Sequence, residues 1–153
     1  MIGDALYSSE VSTWETPPTL FRGLDEEFRF TLDAAASTEN AKCLRFFSET
    51  DNALNQPWAP HKVWLNPPYG RTVGAWVRKA RDEADAGAVV VMLLPVRTDT
   101  RWFHDHVLGR AEVRFLRGRV KFVGAQAGAP FPSMIVIFRP QFSSHSPADS
   151  ITI

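Results

Sequence analysis

The sequence predicts an α/β fold: an open, mostly parallel sheet with helices packed on it, finished by an antiparallel pair near the C-terminus. Three observations carry that prediction. Residues 88–94 are an unbroken apolar run, with β-branched Val89, Val90 and Val91, between Gly87 and Pro95, the pattern of a central strand buried on both faces and parallel to its neighbours. Ahead of it Val73, Trp76, Val77, Ala80 and Ala84 recur at helical spacing, with Arg78, Lys79, Asp82 and Glu83 on the opposite side. Behind it, residues 113–116 and 120–123 read as strands around Arg117-Gly118, and 133–138 as a last strand.

Each element follows in order. Residues 1–12 are polar and expected to form a flexible N-terminus, and a single domain is expected over residues 13–140. Thr16 is placed to cap a helix with Pro17 at its first position, running to about Phe28. Residues 28–32 alternate as a strand ending at Asp33, after which Ala34, Ala35 and Ala36, with Ser37 as cap, open a second helix. Residues 45–61 are irregular because Asp51, Asn52, Pro57 and Pro60 interrupt any period. A buried strand resumes at 62–65, and the helix over 73–84 ends with Gly87 as its cap. Residues 100–108 read as helical. The runs at 113–116 and 120–123 read as a hairpin around Arg117-Gly118, residues 124–132 as a loop, and 133–138 as the last strand. The Ser-rich stretch 141–153 is expected to be a disordered tail. In an open sheet of this kind ligands belong at the carboxyl ends of the strands.

With 153 residues, 44% of them hydrophobic and 22% charged, the chain fits one globular domain with a substantial core. Met1-Ile2-Gly3-Asp4 lacks the basic start and apolar stretch of a secretory signal, and no apolar run approaches the ~20 residues of a membrane span. A soluble protein of the cytoplasm is expected. Cys43 is the single cysteine, which excludes an internal disulfide, and the four histidines show no metal-ligand spacing, so no metal is expected. Net charge is zero but unevenly placed. Residues 1–55 hold four basic and ten acidic side chains, and residues 97–121 hold seven basic and three acidic. Arg97, Arg101, Arg110, Arg114, Arg117, Arg119 and Lys121 could face phosphates, with weak, salt-sensitive binding the expectation for a chain of zero net charge.

The most informative residues are Asn66-Pro67-Pro68-Tyr69, directly after the apolar run Val63-Trp64-Leu65 and before Gly70. Two prolines fix φ and remove two N–H donors, so the carbonyls of Asn66 and Pro67 are left to accept from a ligand. The Asn66 side-chain carbonyl adds a neutral acceptor, and the Tyr69 ring offers a face for a planar group. The set suits an exocyclic amine on an aromatic ring.

Here the chain resembles the amino-methyltransferases that use S-adenosylmethionine, and in particular phage-type DNA adenine methyltransferases. Trp14-x-Thr16-Pro17, Leu32-Asp33-Ala34-Ala35-Ala36, Asp51-x-x-Leu54, Leu93-Leu94-Pro95, Gly118-Arg119 with Phe122, and Pro130-x-Pro132-Ser133 stand in that family's order over residues 13–139. The resemblance implies a compact Rossmann-like methyltransferase fold with helices on both faces of the sheet. It implies direct methyl transfer to the N6 amine of an adenine flipped out of DNA, in a bacterial or phage-infected cell.

By that resemblance Asn66 and Pro67 accept the two amine N–H bonds, Pro68 stiffens the loop and Tyr69 stacks on the base. Asp33, Ala34 and Ala35 lie beside the methionine part of the cofactor. Trp14, Thr16 and Pro17 flank its carboxylate at a helix N-terminus. Asp51 accepts from the cofactor's adenine amine, with Trp58 or Phe47 packing on that ring. Arg71, Arg97, Arg101 and Arg119 are the phosphate contacts. Ser37 and Glu39 stand near where the larger enzymes have glycines, and Asp33 and Asn66 are only 33 positions apart, one βα unit short. The ribose carboxylate therefore stays open between Glu39 and Glu49. No separate target-recognition domain stands out, so sequence preference is expected from loops 70–75, 97–103 and 124–132 or from a partner chain. Two other readings remain: methylation of RNA or of protein glutamine amides, and a nucleic-acid-binding protein that keeps the fold without turnover.

Overall fold

The computed structural model describes residues 14–141 and the backbone of residues 151 and 152. The flexible N-terminus expected at 1–12, and the tail except for its first residue and that short segment, lie outside the described residues. Six strands form one sheet: β1 (Leu32–Asp33), β2 (Lys62–Leu65), β3 (Val89–Pro95), β4 (Glu112–Phe115), β5 (Ser133–Phe138) and β6 (Ile151–Thr152), in the order β1-β2-β3-β5-β4-β6. Pairs β1–β2, β2–β3 and β4–β6 are parallel, and β3–β5 and β4–β5 antiparallel. The helices are α1 (Pro18–Phe28) and α2 (Val73–Asp85), with a wide-turned helical segment at Phe103–Val107.

Register decides which side chains share a face. Asp33 pairs with Trp64, Trp64 with Val91, Val91 with Ile137, and Ile137 with Glu112. Side chains directly across neighbouring strands project to the same side. Helix α1 covers that side: Phe21 meets Trp64 edge-on at 5.5 Å, and Glu27 accepts two hydrogen bonds from Arg114, the partner of Ile135. The other side belongs to α2. Its Asp85 pairs at 2.9 Å with Arg110, whose guanidinium lies over Phe138, the neighbour of Ile137 that projects oppositely. Residues Val90 to Leu94 and Met134 to Phe138 are buried throughout, which is why both strands read as continuous apolar runs.

Several expectations give way. Helix α1 begins at Pro18 with Pro17 as its cap, and Thr16 makes no capping bond. The strand expected from residue 28 shrinks to Leu32–Asp33, because Phe28 stays in α1 and Arg29 turns the chain at φ 54°. The helix expected after Ala34 does not form. The Asp33 carboxylate gathers the amides of Ala35 and Lys42, and residues 45–47 fold back to pair with it through Asp33 N to Arg45 O (3.0 Å) and Phe47 N to Asp33 O (2.9 Å). Backbone groups that a helix would satisfy internally are satisfied by these bonds instead.

The expected hairpin is also absent. Val123 donates to the Glu15 carbonyl and Ala129 to that of Val120, so residues 120–123 leave the sheet and β4 takes β5 as its antiparallel partner. Strand β3, expected to be parallel to both neighbours, is parallel to β2 and antiparallel to β5. Gly87 lies one residue beyond the α2 cap at Ala86, with φ of 120°, a conformation that L side chains rarely adopt.

Candidate active site

A cleft opens at the carboxyl ends of β1 and β2, on the α1 side of the sheet. Of the residues expected to bind, Trp14, Thr16, Asp33, Ala35 and Asn66 line it together. Alternation explains two of them: Asp33 is the direct partner of Trp64, and Asn66 is two residues past Trp64 and projects to the same side.

The Asn66 amide is fixed in orientation. Its Nδ2 donates to the Trp14 carbonyl at 2.7 Å and to Thr16 Oγ1 at 3.0 Å. A backbone carbonyl can only accept, so the nitrogen must face Trp14, and Oδ1 is left as the group that meets a ligand. This is the use the structure makes of Thr16, which is 2% exposed. Pro67 is buried directly behind Asn66, and Pro68 is half-buried.

Asp33 is also 2% exposed. Burial pushes its carboxyl up to about 6, against the pull of the Lys42 and Ala35 amides and the Lys42 ammonium. Ala34 lies fully buried behind the cleft wall, its amide bonded to the Trp64 carbonyl at 3.0 Å. Pro17 caps α1 outside the lining.

The Tyr69 ring is held in an aromatic cluster and is 4% exposed. Its hydroxyl donates to the Leu93 carbonyl at 3.1 Å, and Phe131 and Phe122 stand nearly perpendicular to it at 5.7 and 6.5 Å. Trp14 joins the cluster to the cleft, 4.9 Å from Phe122 and 5.2 Å from Phe131.

Asp51 is placed elsewhere. Its carboxylate accepts from the amide and hydroxyl of Ser48 in an exposed turn, and it does not line the cleft. Trp58 is wholly buried, donating to the Ala53 carbonyl and stacking near Trp76. The basic segment divides. Arg110 and Arg114 are engaged with Asp85, Glu27 and Glu112, whereas Arg101, Arg117, Arg119 and Lys121 are exposed. Arg71 is exposed as well, and Arg97 pairs with Asp99 at 3.8 Å. Gly74 lies against Trp102, at the distance where an added Cβ would be 3.5 Å away, which brings the segments carrying Arg71 and Arg101 side by side.

Glu15, Asn40, Lys42 and Trp64 also line the cleft and were not anticipated. Lys42 Nζ pairs with Glu15 Oε1 at 3.3 Å, and Asn40 Oδ1 accepts from the Ser37 amide at 2.7 Å. Trp64 was legible, since a strand residue two before Asn66 must share its side. Asn40 and Lys42 were not, because Ala34, Ala35, Ala36 and Ser37 read as the opening of a helix. Cys43 is half-buried, and burial, then the Asp33 and Asp25 carboxylates, push its thiol up to about 12, which keeps it unreactive. Among the described residues no group of three His, Cys, Asp or Glu side chains could hold a metal, and no helix is long and apolar enough to cross a membrane.

Comparison with known proteins gives the same direction. The chain is 33% identical over 132 residues to a DNA N-6-adenine-methyltransferase of Escherichia phage T1, covering 75% of this chain and 55% of that protein. It is 29% identical over 141 residues to a DNA N-6-adenine-methyltransferase of Haemophilus phage HP1 (strain HP1c1), covering 87% of this chain and 82% of that one. The chain thus spans just over half the length of the first relative and about four fifths of the second. Residues 4–153 match the family described as DNA N-6-adenine-methyltransferase (Dam), and the chain belongs to that family.

Proposed function

We propose that this chain transfers a methyl group from S-adenosylmethionine to the exocyclic N6 amine of adenine in DNA, on a base turned out of the stack. The observation that carries the reading is Asn66. Its amide is tied by Trp14 and Thr16 so that an oxygen, not an NH2 group, is left for a ligand at the carboxyl end of a parallel strand. The names of the phage relatives supply the acceptor, adenine in DNA.

The cleft chemistry fits the cofactor. Two carboxylates, Asp33 and Glu15, one ammonium, Lys42, and the aromatic side chains Trp14 and Trp64 suit a ligand that carries an amino-acid end and a net positive charge. When bound there, the cofactor supplies an electrophilic methyl group on a sulfonium. Asn66 Oδ1 and the Pro67 carbonyl would accept the two amine hydrogens and so orient the nitrogen lone pair; as the N–C bond formed the C–S bond would break, the sulfonium leaving as a neutral thioether and the surplus amine proton passing to solvent. Most of the rate comes from this positioning, and no covalent nucleophile takes part. Tyr69 supports the base by stacking. Because its ring is covered, the base must first part Tyr69 from Phe122 and Phe131. Arg71, Arg97, Arg101 and Arg119 hold the DNA phosphates, with the cytoplasm of a bacterial or phage-infected cell as the place of action.

Labelled-methyl transfer to adenine-unmethylated DNA, with nucleoside analysis of the product, tests the reading. Methyladenine is expected from the natural chain and at least about 100-fold less from Asn66→Ala. Cofactor binding by a folded chain without transfer to DNA would overturn it.

A further inference from the structure

The N-terminus of α1 is the obvious place for the cofactor's carboxylate, yet it is poorly equipped for the task. Residues 17 and 18 are both proline, so two of the amides that a helix start would offer an anion are missing, and neither proline lines the cleft. Lys42 meets the need instead. It is the one cation among the described residues that line the cleft. Its side chain is 15% exposed and is anchored at both ends: the backbone amide donates to Asp33 Oδ2 at 3.0 Å, and Nζ donates to Glu15 Oε1 at 3.3 Å. An ammonium has three donors, so one bond to Glu15 leaves two for a ligand.

We propose that Lys42, tethered by Glu15, is the residue that binds the carboxylate of S-adenosylmethionine, while Asp33 receives the ammonium of the same amino-acid end. The proposal rests on the methyltransferase reading and assigns the polarity of the cleft within it. The loop 34–47, folded by the Asp33 carboxylate rather than into a helix, is the device that carries Lys42 back to Asp33, nine residues away. One loop thereby presents a cation and an anion to the two ends of a zwitterion. The Glu15 contact also joins this loop to the segment that orients Asn66, so the cofactor end and the base end of the site share one support.

Equilibrium binding tests the proposal without turnover. Dissociation constants are measured, by calorimetry or by tryptophan fluorescence, for S-adenosylmethionine and for its decarboxylated analogue. The chains compared are the natural one, Lys42→Met and Lys42→Arg, each checked for a native unfolding transition. Either substitution keeps the backbone amide on Asp33. The natural chain is expected to bind the analogue about 10- to 100-fold more weakly than the complete cofactor. Lys42→Met is expected to lose a similar factor toward the cofactor and to discriminate less than about threefold, and Lys42→Arg to recover part of the discrimination. Undiminished discrimination by Lys42→Met would place the carboxylate elsewhere and overturn the proposal while leaving the methyltransferase reading intact. Failure of the natural chain to bind either ligand would overturn both.

Discussion

The two sides of β3 are built on different terms. On one, β5 lies antiparallel beside it with β4 antiparallel beyond β5, every residue of β5 is buried, and Glu112 joins Arg114 and Arg139, with Arg114 reaching on to Glu27 of α1. On the other, β1 is two residues long and is prolonged by a loop whose amides converge on a buried carboxylate. The first side gathers apolar area and satisfied ion pairs, which stabilise. The second spends burial on Asp33 and on the Asn66 amide, polar groups that contribute less to stability than apolar ones of the same size. The ion pairs of Glu112 and the polar cleft thus stand at opposite ends of one sheet, and substitutions on the two sides should separate in kind.

The largest effect is expected at Leu93, wholly buried in β3. Leu93→Ala should cost about 3 kcal/mol in urea denaturation. A loss below about 1 kcal/mol would mean that this side is not where the stability lies.

Next comes Glu112. Burial alone would raise its carboxyl, but hydrogen bonds from Arg139 and Arg114 outweigh that and hold it below the usual range. A depressed carboxylate stabilises above its unfolded value and loses the contribution as pH falls through its folded one. Glu112→Gln should therefore cost about 1–2 kcal/mol at pH 7, and the gap from the natural chain should narrow as pH drops below 4.5, the carboxyl's ordinary value.

Asp33 should behave in the opposite sense. Its carboxyl, pushed up to about 6, binds its proton more tightly in the folded chain, so the cost of the charged form appears as pH rises from about 4 and is complete above about 6. Asp33→Asn should gain about 1 kcal/mol at pH 8, after allowing for one weakened amide bond, and nothing at pH 4, while cofactor affinity falls. Destabilisation at pH 8 would break the contrast between the two sides.

The smallest effect is expected at Asp51, whose carboxylate is spent on Ser48. Asp51→Asn should leave cofactor affinity within about twofold. A tenfold loss would show that the turn opens on binding and that the polar side of the sheet is larger than its cleft.

What could be read from the chain divides along the same line. Residues 62–65 and 133–138 were placed to the residue, because each is a short, largely apolar stretch bounded by prolines or polar residues and almost wholly buried. Helix α2 came within one residue of its observed end. Asn66 and Asp33 are expected at a ligand edge because each stands at a strand end followed by special residues, and both line the cleft. The loop after Asp33 was not. Three alanines favour helix locally, and nothing in their spacing shows that a buried carboxylate will capture an amide nine residues on. Lys42 and Asn40 were missed with it. The pairing of β4 failed for a related reason: alternation at 120–123 fits a strand, but Phe122 is claimed by Trp14 and Phe131, a tertiary choice that periodicity does not record.

The bonds from Asn66 to Trp14 and Thr16 span 52 and 50 residues and tie the loop Asn66–Tyr69 to the stretch just ahead of α1. An asparagine without such a tether can turn its amide over, and the two orientations differ little in shape but are opposite in hydrogen-bonding sense. Clipping the chain after Thr16 would remove both acceptors of that tether. An amine substrate would then meet a donor where it needs an acceptor in a large share of encounters. The segment before the first helix thus works as a polarity lock, and the loop it secures has the right residues only while that lock is closed.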